Sequence, residues 1–302
     1  MKTISRRKFI GLGGKLAFLG LGLSPVLTGF LHGCKIQVGS VQVDTDSVVK
    51  SYQAVSKSFE DITPEQEYYI GRTVGARILQ KYKPYDNPAA NRYINTLGQT
   101  LAQASDFPET YGGYHFLIQD SDDINAFAAP GGFIFVTRGI LRCCEHEDAV
   151  AAVLAHEIGH VQSRHGLQAI KKSRVTDAVT ILAIEGTKTF GGEDLANLTQ
   201  TFEDSISDIT STLVVNGYSR AFEYQADSGA VNILYRVGYS PSGLVDMLRV
   251  MDKRLKPGGN DFVKTHPSPE KRISEIETFL SYSEVKSPLP RQARFKRYLG
   301  SV

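Results

Sequence analysis

Residues 156–160 read His156-Glu157-Ile158-Gly159-His160, and the architecture of the chain can be worked out from these five residues. On an α-helix, side chains at positions i and i+4 lie on one face, so the two imidazoles can bind the same metal ion. Glu157 lies beside that face, where its carboxylate can accept a proton from a metal-bound water. The pentapeptide therefore predicts a zinc site with His156 and His160 as ligands and Glu157 as the general base of peptide hydrolysis.

The residues around the pentapeptide favour a buried helix. The run from Ala149 to Ala155 is apolar throughout and Val161 follows the second histidine, so the helix is apolar on nearly every side. The alternative is an amphipathic helix with two histidines on its solvated face. Two imidazoles and a carboxylate inside a buried helix are costly unless something binds them, and this favours the metal site.

Two histidines leave the zinc ion short of a third protein ligand. One common solution adds a histidine six residues after the second, behind a glycine three residues after it. Those positions here hold Gly166 and Ser163, and His165 is out of register by one residue. On a continuing helix His165 would lie about 140° around the axis from His160, facing elsewhere. His165 is therefore not expected to be a ligand.

A glutamate from a separate helix is the other solution. Glu223 and Asp227 are spaced i and i+4 in a downstream helical segment, so they share one face. Glu223 can complete a site of two histidines and one glutamate, and Asp227 can accept the spare ring N–H of a ligand histidine. A solvated acidic face is the alternative, but the neighbouring residues are small or apolar, which favours the ligand site.

The pentapeptide and the downstream Ser219-Arg220-x-x-Glu223-x-x-x-Asp227 together resemble the gluzincin metallopeptidases grouped with the CAAX prenyl protease, HtpX and the periplasmic protease BepA. Residues 125–139 are similar to the strand that precedes the metal helix in that family. The segment from Thr265 to Ile273 is similar to its C-terminal His-Pro motif. The four motifs occur in family order, and the likeness implies a zinc endopeptidase with one Zn²⁺ per chain.

The resemblance also implies roles for residues outside the ligand set. The strand before the metal helix is expected to bind extended substrate, which assigns that role to Asn125, Ala126, Phe127, Ala128 and Ala129. His266 is expected at the cleft, where it either steadies the oxyanion or occupies the zinc in a latent form. We expect Arg220, and also Tyr218, to act around the ligands or on the transition state. On residues alone, a core hairpin and a solvated loop histidine remain alternatives.

The first 34 residues carry export signals. Ser5-Arg6-Arg7-Lys8-Phe9-Ile10 reads as a twin-arginine motif, followed by a weakly apolar, glycine-rich stretch. Leu31-His32-Gly33-Cys34 resembles a lipoprotein processing box with Cys34 as the acylated residue; an uncleaved N-terminal anchor is the alternative. Either reading predicts a protein on the periplasmic side of the cell envelope, attached to a membrane through a lipid or an anchor.

Composition and cysteine content limit the kinds of partner and cross-link that we expect. A net charge of +2 argues against nucleic acid, and three cysteines, with Cys143 adjacent to Cys144, do not form a disulfide framework. We expect a signal peptide, a membrane-proximal linker and helix, a metallopeptidase domain and a basic C-terminal tail, over residues 1–33, 34–60, 61–285 and 286–302. The tail is expected to be solvated, with contact to anionic lipid as the alternative.

Helical patterns dominate the chain. Thr63-Pro64 and Asn87-Pro88 each predict the start of a helix, ending near Lys81 and Gln103. Residues 114–119 and 133–136 predict strands, with Pro130-Gly131 as a type II turn before the second. The expected fold is α+β and mainly helical: a zincin-like (minigluzincin) catalytic domain with a small antiparallel β-sheet and an active-site helix.

The expected function is hydrolysis of misfolded or unassembled envelope proteins by a zinc metalloendopeptidase with polypeptide substrates. The main alternative is an envelope assembly chaperone or scaffold with latent protease activity, acting with outer-membrane assembly partners. A prenyl-protein protease embedded in the bilayer is disfavoured, because the sequence lacks a second apolar span of about 20 residues.

Overall fold

The computed structural model describes residues 35–38, 41–44, 62–169, 203–254, 266, 268–278, 280 and 288–302. The chain divides into two units, residues 1–56 and 57–302. In the first unit, strands β1 (Lys35–Val38) and β2 (Val41–Asp44) form an antiparallel hairpin within the predicted linker. The predicted signal peptide, its Cys34 and the membrane-proximal helix lie outside the described residues.

The second unit opens with two helices that begin where the sequence predicts. Helix α1 spans Pro64–Lys81, and the Thr63 hydroxyl accepts the Gln66 N–H while the Gln66 side chain accepts the Thr63 N–H. Helix α2 spans Pro88–Ala102 and is capped by the Asn87 side chain. Proline at the first helical position has no N–H to leave unpaired, so both starts are locally determined.

Three strands form a sheet in the order β3–β5–β4: β3 (His115–Gln119), β4 (Ala126–Ala129) and β5 (Phe133–Thr137). Strand β5 runs parallel to β3 and antiparallel to β4, so the sheet is mixed rather than wholly antiparallel. Gly131 has φ 72° and ψ 8°, the conformation that a type II turn requires at its third residue. Among the described strands, β4 has a neighbour on one side only.

Helix α4 (Glu147–Gln162) follows the short helix α3 (Arg138–Leu141) and forms the centre of the core. All its residues up to Val161 are buried, because α2, β4 and two later helices surround it. The helix ends when Arg164 adopts a left-handed conformation with φ 53°, and the chain turns into the single-turn helix α5 (His165–Gln168).

The remaining helices complete the core. They are α6 (203–211, continuing as a π-helical turn over Thr212–Asn216), α7 (Arg220–Val237), α8 (Ser242–Arg254), α9 (Pro269–Glu277) and α10 (Leu289–Leu299). Helix α7 packs along α4 so closely that a Cβ atom at Gly159 would lie 2.7 Å from the Ala226 carbonyl oxygen. The glycine of the pentapeptide therefore lets α7 bring its side chains to the two histidines.

The C-terminal tail is solvated only in part: most of its residues are exposed, as predicted, but one face of its helix α10 docks on the start of α4. Arg291 Nη1 lies 2.9 Å from Asp148 Oδ1, and Arg294 Nε donates to Glu147 Oε2 at 3.0 Å. Tyr298 stacks on Tyr93 of α2 with ring centroids 5.2 Å apart. Arg291 and Arg294 thus pair with buried carboxylates, which the local charge of the segment does not reveal. None of the helices in the described part of the chain has the length and apolar character needed to cross a membrane.

Candidate active site

Helices α4 and α7 bring two histidines and a glutamate to one buried point. The Nε2 atoms of His156 and His160 lie 3.1 Å apart. Glu223 Oε2 lies 3.5 Å from His156 Nε2, and Glu223 Oε1 lies 3.4 Å from His160 Nε2. His266, from the residues before α9, joins them with Nδ1 2.7 Å from Glu223 Oε2. One potential ligand atom from each of the four residues lies within 4.8 Å of the others.

The spacing of these atoms fits a zinc ion. Zinc–nitrogen and zinc–oxygen bonds of about 2.0–2.1 Å in a tetrahedron place neighbouring ligand atoms about 3.3 Å apart. The two Nε2 atoms lie 3.1 Å apart, and each lies 3.4–3.5 Å from a different oxygen of Glu223. Among the described residues, Glu223 Oε1 and Glu157 Oε1 have no hydrogen-bond partner although both are buried. Buried acceptors without partners are costly, so the group fits a zincin-like site completed by a cation.

The charge of the site points the same way. Glu157, Glu223 and Asp227 are each about 1% exposed, and Arg272, also 1% exposed, lies beside the last two. Three carboxylates against one guanidinium leave an excess of two negative charges when all four groups are ionised and the histidines are neutral, as metal ligands must be. A single divalent cation balances that excess, whereas unbalanced charge in a buried site is strongly unfavourable.

Behind His156 lies an ion pair. Asp227 Oδ1 is 2.8 Å from His156 Nδ1, and Arg272 donates to Asp227 through Nε at 3.0 Å and Nη2 at 2.6 Å. The carboxylate favours a proton on Nδ1 and turns Nε2 toward Glu223. Arg272 lies within the segment that resembles the His-Pro motif, but no role was assigned to it from the sequence. Arg220, which was expected to act around the ligands or on the transition state, is instead 65% exposed and pairs with Glu275 at the surface.

Behind His160 lies a second histidine. His165 Nδ1 is 2.9 Å from His160 Nδ1, and His165 Nε2 is 2.9 Å from Gln225 Oε1. The prediction that His165 faces away from His160 is wrong, because α4 does not continue through residue 165. His165 is nevertheless outside the group of four potential ligands, as expected.

Burial and neighbouring charges shift the pKa values of the site. Burial raises the pKa of Glu157 to about 7, with Glu223 adding to the shift. Burial opposes ionisation of Glu223, but His266, His156 and His160 outweigh it and hold the pKa of this carboxyl well below its usual range. Burial lowers the pKa of His160 to about 3. Burial and Arg272 also oppose a charge on His156, but Asp227 and Glu223 raise its pKa to about 9. The site therefore favours a cation beside an ionised Glu223.

A small cavity adjoins the ligand group. It has a volume of about 10 Å³. Three residues of β4, two residues of the π-helical turn that follows α6 and three further side chains line it: Ala126, Phe127, Ala128, Thr212, Leu213, Glu157, Tyr218 and His266. Its volume holds about one water molecule. The Tyr218 ring stacks on His160 at 4.4 Å, and its hydroxyl is buried with no hydrogen-bond partner in the described part of the chain. Burial raises the pKa of Tyr218 well above 10, so the hydroxyl stays a donor.

Strand β4 lies along this cavity. All residues from Asn125 to Ala129 are buried, and the Asn125 side chain accepts the Ala126 N–H at 2.9 Å. The three residues that line the cavity belong to the segment expected to bind substrate. Two of them are alanines, which allow a close approach of another backbone to the strand.

Comparison with known proteins gives the site its family. The sequence profile of peptidase family M48 matches residues 88–280. The beta-barrel assembly-enhancing protease of Yersinia pestis is 29% identical over 197 residues, covering 63% of this chain and 39% of that protein. The mitochondrial metalloendopeptidase OMA1 of Schizosaccharomyces pombe is 28% identical over 240 residues, covering 78% of this chain and 66% of that protein.

A third relative is the beta-barrel assembly-enhancing protease of Escherichia coli (strain K12), which is 27% identical over 215 residues. That match covers 69% of this chain and 42% of the relative. The chain thus spans less than two thirds of each relative's length. The matched region contains the helix of the pentapeptide, Glu223 and His266, and on these grounds the chain belongs to peptidase family M48.

Proposed function

We propose that the chain is an endopeptidase in which His156, His160 and Glu223 bind one Zn²⁺ and Glu157 is the general base. The observation that carries this proposal is the convergence of three buried side chains, with the two histidine Nε2 atoms 3.1 Å apart and a Glu223 oxygen 3.4–3.5 Å from each, and with an unpaired carboxylate oxygen of Glu157 in the same buried site. When bound, zinc acts as a Lewis acid and lowers the pKa of its water toward about 7.

Glu157 is the proposed proton carrier. Its carboxyl group lines the cavity, and its pKa of about 7 lies near physiological pH, which suits a group that gains and loses a proton in each cycle. The carboxylate accepts a proton from the attacking water and then donates it to the leaving amine nitrogen. The Tyr218 hydroxyl, which lines the same cavity, supplies a donor for negative charge that develops on the substrate carbonyl.

Strand β4 is the proposed site of substrate alignment. An extended peptide added to this strand would form backbone hydrogen bonds and run past Glu157, the arrangement known as β-augmentation. Support comes from the strand's position: β5 pairs with one side of β4, and Ala126, Phe127 and Ala128 line the cavity that holds Glu157. Asn125 and Ala129 flank this segment.

A latent form of the enzyme is the second candidate, and His266 favours it. Catalytic zinc sites have three protein ligands and an open position, whereas four protein ligands make a closed site. His266 Nδ1 lies 2.7 Å from Glu223 Oε2 and belongs to the group of four. The cavity of about 10 Å³ holds a water but no peptide. A protease held in this form would serve as a chaperone or scaffold until His266 moves; in the open form, the same histidine would steady the oxyanion.

The proposed setting is the bacterial envelope. Two relatives are named as beta-barrel assembly-enhancing proteases, which supports misfolded or unassembled envelope proteins as substrates and outer-membrane assembly proteins as partners. The twin-arginine motif and the box that ends at Cys34 support export and attachment to a membrane through a lipid or an uncleaved anchor.

Zinc content and casein turnover of the wild type and of His266→Ala test the proposal. We expect one zinc per chain in both proteins and cleavage that a chelator abolishes. Faster cleavage by His266→Ala supports the latent form, and slower cleavage supports the oxyanion role. Zinc-loaded proteins that both leave casein intact would refute the endopeptidase and favour the scaffold.

A further inference from the structure

We propose that His165 is a positioning residue for the metal site: its Nδ1 atom holds His160 in the tautomer whose Nε2 lone pair faces the metal. Gln225 in turn fixes the tautomer of His165. The inference rests on the proposed metal site and adds two residues that belong neither to the ligand group nor to the cavity lining.

The tautomers follow from the donors and acceptors along the chain of contacts. A neutral imidazole carries one N–H, so of two Nδ1 atoms 2.9 Å apart one donates and the other accepts. The Gln225 Oε1 atom can only accept, and it lies 2.9 Å from His165 Nε2. His165 therefore carries its proton on Nε2, and its Nδ1 accepts a hydrogen bond from the N–H at His160 Nδ1. This leaves a lone pair on His160 Nε2, the atom that faces Glu223 and His156.

Contacts with residues distant in sequence hold His165 in place. Its side chain is 0% exposed, and its ring lies parallel to Phe222 of α7 at a centroid distance of 4.3 Å. The preceding residue, Arg164, is the one described non-glycine residue with positive φ, a conformation that costs about 1–2 kcal/mol. The buried Glu67 of α1 accepts from Arg164 Nε at 3.0 Å and stabilises that turn. Such strain often accompanies a functional position.

The two ligand histidines thus have different supports. His156 faces the ionised Asp227, which is itself paired with Arg272. His160 faces the neutral ring of His165, and the other nitrogen of that ring contacts the side-chain amide of the exposed Gln225. A carboxylate makes its imidazole more basic than a neutral acceptor does. We infer that the second support serves orientation and tautomer choice, and loss of such a support typically weakens metal affinity about 10–100-fold.

Two substitutions separate the hydrogen bond from packing. His165→Phe keeps an aromatic ring on Phe222 but removes the acceptor. His165→Asn removes the ring but can place its amide oxygen near the former Nδ1 position, where it accepts the His160 N–H. A merely structural His165 would be replaced better by phenylalanine, and a positioning His165 better by asparagine.

Zinc affinity, measured by competition with a chromophoric chelator, is the readout. We expect His165→Phe to bind zinc about 10–100-fold more weakly than the wild type, and His165→Asn to stay within about threefold. His115→Phe is the control, because His115 is exposed, its Nε2 atom pairs with the Gly112 carbonyl at 2.9 Å, and it is not part of the group of four potential ligands. The inference is overturned if His165→Phe binds as tightly as the wild type, or if His165→Asn binds as weakly as His165→Phe.

Gln225 gives the same test from the surface, where a substitution does not disturb the core. Gln225→Glu keeps an acceptor for His165 Nε2–H and Gln225→Leu removes it. We expect the leucine variant to bind zinc about 3–10-fold more weakly and the glutamate variant to match or exceed the wild type. Equal affinities in the two variants would overturn the relay even if the His165 variants fail to fold.

His160→Ala distinguishes this inference from the proposed function. If the wild type binds no zinc, or if His160→Ala binds it equally well, the metal site itself is refuted. If the wild type binds zinc, His160→Ala does not, and His165→Phe is unaffected, only the role of His165 is refuted.

Discussion

The two ends of helix α4 each bury a glutamate, and the comparison shows what separates a structural carboxylate from a functional one. Glu147, at the first turn, is 0% exposed and accepts from the Tyr93 hydroxyl at 2.9 Å, the Tyr239 hydroxyl at 2.7 Å and Arg294. Glu157, near the last turn, is 1% exposed and keeps one oxygen without a partner among the described residues. Residue type and burial are the same, but Glu147 has two tyrosine donors and an ion pair with Arg294, whereas Glu157 keeps an oxygen without a hydrogen-bond partner in the described structure.

The tyrosines repeat the contrast. Those at the start of α4 donate to Glu147, whereas the Tyr218 hydroxyl at the other end is buried without a partner in the described structure. An unpaired buried polar group costs stability, and at the cavity lined by Tyr218 and Glu157 a substrate or a water molecule can supply the missing partner. The partners of Glu147 support an anchoring role for the start of α4, and the unpaired groups of Glu157 and Tyr218 beside the cavity support a reactive role for its end.

The largest expected effect is on turnover in Glu157→Gln. The amide cannot accept the proton, so cleavage should fall at least about 10²–10⁴-fold while zinc content is unchanged. The matched change at the other end, Glu147→Gln, should lower the unfolding temperature and leave the turnover of the folded protein within about threefold. Casein cleavage, metal analysis and thermal melts of both variants provide the measurement. Retained proteolysis in Glu157→Gln would refute its role as base.

Tyr218→Phe should come next. Loss of its hydroxyl removes a proposed donor to the developing oxyanion, so kcat should fall about 10–100-fold with little change in zinc affinity. Tyr239→Phe is the control, because it removes a hydroxyl that donates to Glu147 at 2.7 Å. That control should lose about 1–2 kcal/mol of stability and keep its kcat. If Tyr218→Phe and Tyr239→Phe lower kcat equally, the proposed difference between a reactive end and an anchoring end of α4 is refuted.

The pH dependence of zinc binding is the third prediction. His156 has a pKa raised from 6.5 to about 9, so below pH 9 the metal-free site holds a proton that zinc must displace. Apparent affinity should therefore rise about tenfold per pH unit from neutral pH and level off above the His156 pKa. Titration calorimetry in buffers of different ionisation enthalpy should count about one proton released at pH 7. Binding without proton release would show that His156 is already deprotonated.

The smallest effect is expected at the docked tail. Arg294→Ala removes one of the partners of Glu147, but the arginine is 48% exposed and the two tyrosine hydroxyls remain. Solvent screening limits the loss to about 1–2 kcal/mol of unfolding free energy. Lys296→Ala, on an exposed position of the same helix, should change it by less than about 0.5 kcal/mol. Denaturant unfolding of both variants tests this, and equal stabilities would mean that α10 does not anchor α4.

The fold was predictable from the sequence where local rules determine it. The capping box at Thr63, the proline start of α2 and the apolar run before His156 each specify a helix through neighbouring residues. The convergence of His156, His160 and Glu223 was also predictable, because i, i+4 spacing places one pair of side chains on one face of each helix and zinc needs a third ligand.

The features that sequence reasoning missed all depend on contacts between distant segments. His165 turns back to His160 because Arg164 is held left-handed by Glu67, a residue of α1. Arg272 reaches Asp227 from α9, and α10 docks on carboxylates more than a hundred residues earlier. The parallel pairing of β5 with β3 likewise depends on tertiary structure, because the sequence of neither strand specifies its partner. Periodicity and capping carry no information about such pairings.

Metal analysis of the purified wild type beside Glu223→Ala tests the central claim most directly, because Glu223 is the proposed ligand that joins α4 and α7 at one site. We expect one zinc per chain in the wild type and substoichiometric, easily chelated zinc in Glu223→Ala, with the helical content of both proteins unchanged. A Glu223→Ala protein that retains one zinc per chain with wild-type affinity would contradict a site shared between α4 and α7.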